Sequence, residues 1–176
     1  MKTLNFPKTV FICTLTLLFS NCFSITERPR KQVISDSTVC LVISGNVYTS
    51  ETGTNDRIKV ELIYYNTLVD SLDLKQSKKF KFALKKDAYY AIKISKPGYI
   101  PRIISICTKL KNELDMDVLY KFHFDTELLL SEESHALNHE ALDFPIAIVN
   151  FDDNLNGFYY SEEYTSNIKR AIYHKQ

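Results

Sequence analysis

Tyr89-Tyr-Ala-Ile-Lys-Ile-Ser-Lys-Pro-Gly-Tyr99 is the stretch on which the fold turns. Its first seven residues are aromatic and β-branched side chains interleaved with small or polar ones, a composition that suits a pleated, half-buried surface. Pro97 and Gly98 then fit the two central positions of a type II turn, because proline pre-sets the first φ and glycine accepts the positive second one. A strand followed at once by a tight turn predicts antiparallel return of the chain through Ile100-Pro-Arg-Ile-Ile-Ser-Ile-Cys107.

Upstream the same pattern repeats. Residues 38–48 have the composition of a first strand, and Glu51-Thr-Gly-Thr-Asn55 supplies a turn in which Gly53 accepts positive φ. In Ile58-Lys-Val-Glu-Leu-Ile-Tyr-Tyr65, Ile58, Val60 and Leu62 alternate with Lys59 and Glu61, which puts one face on a core and the other in water. Residues 68–74 and Phe80-Lys-Phe-Ala-Leu84 follow, separated by the basic turn Lys75-Gln-Ser-Lys-Lys79. Six or seven short strands without a long amphipathic helix between them predict a mainly β fold, a small antiparallel sandwich of the prealbumin or immunoglobulin kind over residues 38–110.

Ser44-Gly-Asn-Val-Tyr48, Glu51-Thr-Gly53, the Phe80-Lys-Phe82 strand and Tyr90-Ala-Ile-Lys-Ile-Ser-Lys-Pro-Gly-Tyr99 together resemble the transthyretin-like or carboxypeptidase-regulatory-like modules of exported bacterial proteins. The resemblance covers residues 39–108 and departs at 75–79, where such modules often carry an Asp-x-x-Gly turn. It implies a structural or accessory sandwich domain and supplies no catalytic residues.

Residues 111–176 are expected to form a C-terminal β extension with a terminal helix, either continuing the sandwich or standing as a small lobe. Residues 114–130 hold one long strand or two joined by a bend, with Val118, Tyr120, Phe122 and Phe124 on one parity and Lys121, His123 and Asp125 on the other. A polar loop or helical turn follows at 131–139. The apolar strand within 141–151 should begin after Pro145, which lacks a backbone donor. In the final stretch Ser161 caps a helix, with Glu162 and Glu163 in its first turn and Tyr164, Ile168, Ala171 and Ile172 at docking spacing. The order of this half is also similar to exported proteins of Bacteroidetes-type bacteria.

At the other end, Lys2 and Lys8 precede an apolar run, Val10 to Phe19, that is too short to span a bilayer, which marks residues 1–21 as an export signal. Phe19-Ser-Asn-Cys22 resembles a bacterial lipobox, with Phe19 and Asn21 where Leu and a small residue are usual. Acylation of Cys22 would hold the chain on a bilayer by burial of its lipid methylenes; cleavage without acylation would release a soluble periplasmic or secreted protein, and an uncleaved anchor is the third outcome. Residues 22–37, polar and broken by Pro29, are a tether. The expected location is the outer membrane, facing periplasm or cell surface.

Loss of residues 1–21 removes only Lys2 and Lys8 from 22 basic side chains, leaving 20 against 21 acidic ones and a formal net charge of −1. No concentrated positive footprint for nucleic acid exists in that balance. Of the cysteines that remain, Cys22 is the candidate lipidation site, and Cys40 and Cys107 are left as an even pair, open either to a disulfide in an oxidising compartment or to life as two buried thiols.

Candidates for chemistry have bland competitors. His135 and His139 stand four apart beside Glu132, Glu133 and Glu140, but Ala136 replaces the glutamate of a zinc-peptidase helix, and a polar loop accounts for them as well. Asp115, Asp117 and Asp125, or Asp152, Asp153, Asn154 and Asn156 before Gly157, have cation-loop oxygen density without the spacing of a calcium loop. Ser131 or Ser134 beside His135 lacks the strained nucleophile turn of a hydrolase. Tyr64, Tyr65, Tyr159 and Tyr160 are candidate glycan or protein contacts. The sequence therefore assigns no catalytic residue, metal or cofactor. It points to an envelope-associated assembly or binding protein with a membrane lipid and an envelope protein or glycan as partners; the alternatives are an accessory carbohydrate- or peptide-binding lobe, or a hydrolase with a concealed site.

Overall fold

The computed structural model describes residues 39–50, 57–74, 78–110 and 118–173. The export signal, Cys22, the tether and the Gly53 turn lie outside them. Nine strands form, β1 (Val39–Thr49), β2 (Ile58–Tyr64), β3 (Thr67–Leu74), β4 (Lys79–Lys85), β5 (Tyr89–Ser95), β6 (Arg102–Cys107), β7 (Tyr120–Leu128), β8 (Ala147–Asp152) and β9 (Gly157–Tyr160). A 3₁₀ segment (Ser131–Ala136) and two helices, α1 (His139–Leu142) and α2 (Glu162–Tyr173), complete the order. The turn at Pro97-Gly98 has the expected geometry: Gly98 adopts φ +79° and Tyr99 N donates to Lys96 O at 3.1 Å. The β2–β3 hairpin is a two-residue loop in which Tyr65 (φ 42°) and Asn66 (φ 64°) are both left-handed, unusual for an aromatic residue.

The strands make two sheets, one of order β4-β1-β7 and one of order β3-β2-β5-β6-β8-β9. The mainly β sandwich with a terminal helix is as the sequence predicts, but it is not purely antiparallel. β7 lies parallel to β1, and β8 lies parallel to β6. The C-terminal strands thus join both sheets. Parallel pairing needs a crossover rather than a hairpin, and strand periodicity is silent about the direction of a distant partner.

The core sits between the sheets, where Leu41, Ile43 and Val47 of β1 meet Val60, Ile92, Ile94, Ile104 and Ile106 of the larger sheet. Six strands face only three, so the inner face of the larger sheet beyond β7 needs another cover. α2 and the 131–142 segment supply it, with Ile168 and Ile172 packed on Ile100, Leu137 and Ala141. Ser161 Oγ accepts from Tyr164 N at 3.3 Å and caps α2. Ala171 departs from expectation and is exposed, because the contact runs along the narrow Ile168–Ile172 line.

Gly45 is required by packing. A methyl group there would lie 2.7 Å from Phe80 Cζ and 2.8 Å from the Phe124 carbonyl oxygen. Thr108, fully buried, ties the β4–β5 turn to the end of β6: its hydroxyl donates to Lys85 O at 2.6 Å and accepts from Ala88 N at 3.1 Å.

Cys40 and Cys107 are both free thiols. Cys40 is buried in the core, and burial pushes its thiol up to about 11. Cys107 has the outward parity of β6, opposite to Ile104 and Ile106, and is half-buried. The sulfurs belong to different sheets, Cys40 inside the core and Cys107 on the outward side of β6. They are not two buried thiols, since only Cys40 is enclosed.

Two outcomes follow from this packing. Gly45→Ala should destabilise the fold by about 1–3 kcal/mol through overpacking against a backbone carbonyl that cannot swing aside, read as a lower urea midpoint with an unchanged slope. Alkylation of the native protein followed by peptide mass mapping should modify Cys107 and spare Cys40 until denaturant is added; a Cys40–Cys107 linked peptide would overturn the assignment.

Candidate functional site

Three surfaces hold the candidate chemistry. On the outer face of the three-stranded sheet, parallel register sets Ser44 beside His123 and Asn46 beside Asp125. Ser44 Oγ lies 3.0 Å from His123 Nδ1, and Asp125 Oδ1 lies 3.2 Å from His123 Nε2. This line of serine, histidine and aspartate has the composition of a hydrolase triad, and the sequence concealed it because Ser44 and His123 are 79 residues apart.

Asn46 belongs to the same group of side chains. Asn46 Nδ2 donates to Asp125 Oδ1 at 2.6 Å and also meets His123 Nε2 at 3.1 Å. Nε2 thus faces both an amide that donates and a carboxylate that accepts, and the tautomer it takes sets whether Nδ1 donates to or accepts from Ser44 Oγ. β1 is the central strand, with its backbone committed to ladders on both sides, which leaves no paired N–H groups for an oxyanion. The side chains of His123 and Asp125 are 56 % and 53 % exposed, in water that would level any stabilisation of charge.

The second feature is a cavity of about 440 Å³ where β7, the edge of the smaller sheet, stands apart from α2. Phe122, Phe124, Ile104 and Val149 form apolar walls, and Glu162 and Lys169 of α2 stand at the polar side. Thr165, also in the lining, keeps a buried hydroxyl without a partner among the described residues. His123 and Asp125 also border this cavity, together with Thr165 and Ser166 of α2, so the first surface and the cavity adjoin.

The outer face of the six-stranded sheet is the third. Cross-strand register aligns Leu68, Ile63, Ala91, Ser105 and Ile148 in one unbroken row over β3, β2, β5, β6 and β8. Leu68 is exposed, and Ile63, Ala91, Ser105 and Ile148 are half-buried. Among the described residues no helix or strand packs over this face, because α2 lies on the inner side. Sequence periodicity marked the inward residues of these strands and missed the outward apolar row, since Ile63, Ile103 and Ile148 stand at positions a half-exposed sheet gives to polar groups.

The remaining candidates scatter. His135 is exposed on the 3₁₀ segment and His139 opens α1; among the described residues no group of three or more metal-ligating side chains forms. Asp115 and Asp117 lie outside the described residues. Asp152 Oδ1 accepts from Asn154 N at 2.8 Å and Leu155 N at 3.2 Å, so that carboxylate closes a turn. Tyr159 and Tyr160 are exposed on β9, and Tyr64 and Tyr65 at the β2–β3 hairpin. The rings of Tyr64 and Tyr65 meet at 84°, and those of Tyr65 and Tyr89 at 80°.

No family model matches the chain, and no curated protein matches it. Among solved structures it is similar to S.CueP, at 13% identity and a TM-score of 0.33, covering 51% of this chain and 62% of that one. A second likeness is to catechol 1,2-dioxygenase from Pseudomonas arvilla C-1, at 10% identity and a TM-score of 0.36, covering 56% and 54%. A third is to the dioxygenase domain of a dioxygenase carbohydrate-binding protein fusion from Streptomyces sp. SirexAA-E, at 15% identity and a TM-score of 0.39, covering 58% and 89%. The chain spans less than two thirds of the first two, and likenesses this partial carry no argument about what it does.

Proposed function

We propose that the chain is a noncatalytic binding or assembly protein of the bacterial envelope, exported by residues 1–21, held at the outer membrane by lipid on Cys22, and docked to a protein partner through the outer face of its six-stranded sheet. The observation that carries this reading is the apolar row Leu68, Ile63, Ala91, Ser105 and Ile148. A row of that kind is costly to leave in water and gains by burial against a complementary surface. The transthyretin-like resemblance of residues 39–108 supports the same role, since such modules serve as structural or accessory domains.

Two alternatives are weaker on the same geometry. A glycan-binding lobe needs aromatic faces presented together, whereas Tyr64, Tyr65 and Tyr89 meet edge to face and present no common plane. A hydrolase needs backbone donors for an oxyanion beside Ser44, and β1 is paired on both sides.

Expression of the intact gene in a bacterium with lipoprotein processing tests the anchor. The mature protein should carry an acyl adduct on Cys22 and sediment with membranes, and Cys22→Ser should lose both; an unmodified product starting beyond Cys22 would make the protein soluble in the periplasm or medium. The docking face is tested by a photo-crosslinking side chain placed at Ser105 or, on the opposite sheet, at Ser44. Ser105 should yield one discrete protein adduct that Ile148→Glu lowers about tenfold, equivalent to the loss of roughly 1.4 kcal/mol, without lowering the melting temperature. Equal adducts from both faces, or none from either, would sink the reading.

A further inference from the structure

One end of the sandwich gathers most of what is unusual on the surface. The ladders fix which pieces meet there: Val39 pairs with Lys85, Leu41 with Tyr120, Tyr64 with Tyr90 and Tyr89 with Cys107. β8 runs parallel to β6, so the β8–β9 turn reaches the same end, where Asn156 Oδ1 accepts from Tyr120 Oη at 3.3 Å. Of the twelve large hydrophobic side chains that are exposed among the described residues, six stand here: Tyr64, Tyr65, Tyr89, Val118, Leu119 and Leu155. They come from three separate connections and from the start of β5. Tyr65 is held out at φ 42°, a conformation an aromatic residue adopts at a cost in strain.

Four lysines flank them, Lys85, Lys86, Lys109 and Lys121, with Lys109 Nζ 4.8 Å from the centre of the Tyr89 ring. Among the described residues the carboxylates facing the same end are Asp87, Asp152 and Asp153, and that of Asp152 is engaged by two backbone N–H groups of its turn; Lys111, Glu113, Asp115 and Asp117, in the connection that enters Val118, lie outside the described residues. Exposed tyrosines and aliphatic tips encircled by lysine suit the interfacial layer of a bilayer, where an amphipathic ring sits at headgroup level and an ammonium meets lipid phosphate.

We propose that this end is a membrane-docking surface whose occupant is an anionic lipid bilayer. Where the chain enters the fold selects that occupant. Residues 22–37 lead directly into Val39 at this end, so a lipid on Cys22 and the exposed tips face the same bilayer. This step rests on the tether reading of those residues. The tether spans on the order of 50 Å when extended, too long to orient the domain; the tips and lysines orient it by raising their own effective concentration at the surface. Docked end-on, the six-stranded sheet stands upright, and its outer face remains open to a partner.

The chain contains no tryptophan, so single tryptophans report on the geometry without background. Leu119→Trp, Leu155→Trp and, at the opposite end before β8, Phe144→Trp are to be prepared in the full chain with Cys22 intact and again with Cys22→Ser. Each is mixed with vesicles of phosphatidylglycerol and phosphatidylcholine, of phosphatidylcholine alone, and of the anionic mixture containing brominated lipid. Emission from Leu119→Trp and Leu155→Trp should shift to the blue on anionic vesicles and be quenched by bromine, while Phe144→Trp is unchanged. Adding Lys85→Glu and Lys121→Glu should weaken recruitment of the Cys22→Ser protein about tenfold. No shift at either tip, an equal shift at Phe144→Trp, or emission already blue without lipid, which marks a protein contact, would overturn the proposal. The Cys22→Ser arm separates the two ideas: an unmodified Cys22 removes the tether reading, while the pattern of shifts still decides the docking end.

Discussion

The parallel pairing of β7 with β1 is the constraint on which the rest of this structure depends. β1 is the centre of the smaller sheet, antiparallel to β4 on one side and parallel to β7 on the other. Without β7 the smaller sheet would have two strands, too few to cover a hydrophobic face. Gly45 makes the arrangement close: Phe80 lies over it from β4, and the Phe124 carbonyl approaches from β7. A glycine in mid-strand usually weakens a sheet, and here it is the position at which an aromatic ring and a neighbouring backbone converge.

A second consequence is the inequality of the sheets. The larger one extends past β7, and its surplus inner face is covered by α2 rather than by more strands. The cavity between β7 and α2 is the seam of that solution, where a strand edge and a helix flank cannot interlock as closely as two sheets do. Because the helix is consumed on the inner side, the outer face of the larger sheet stays bare. Its apolar row therefore has no helix or strand over it among the described residues.

The Ser44, His123 and Asp125 line is a product of strand pairing. The three residue types are those of a hydrolase, and the distances are hydrogen-bonding distances. Asn46 belongs to the same group, its amide donating to the carboxylate and lying 3.1 Å from a ring nitrogen, and Ser44 sits on a central strand paired on both sides. None of this was visible along the chain. The register between β1 and β7 brings the four side chains together, and register is a property of pairing.

By itself the sequence determined the local structure: the inward parities of β2 and β7, the type II turn at Pro97 and Gly98, the start of β8 after Pro145 and the Ser161 cap of α2. Each rests on covalent geometry or on a period of a few residues, so each can be seen without knowing the neighbours. Tertiary structure alone decided the parallel directions of β7 and β8, the opposite sides taken by Cys40 and Cys107, the bare apolar row, and the gathering of Tyr65, Leu119 and Leu155 at the end where the chain enters. The physical reason is the same for all four. They depend on which distant strands exchange backbone hydrogen bonds, a choice made by burial summed over the whole core and carried by no single segment.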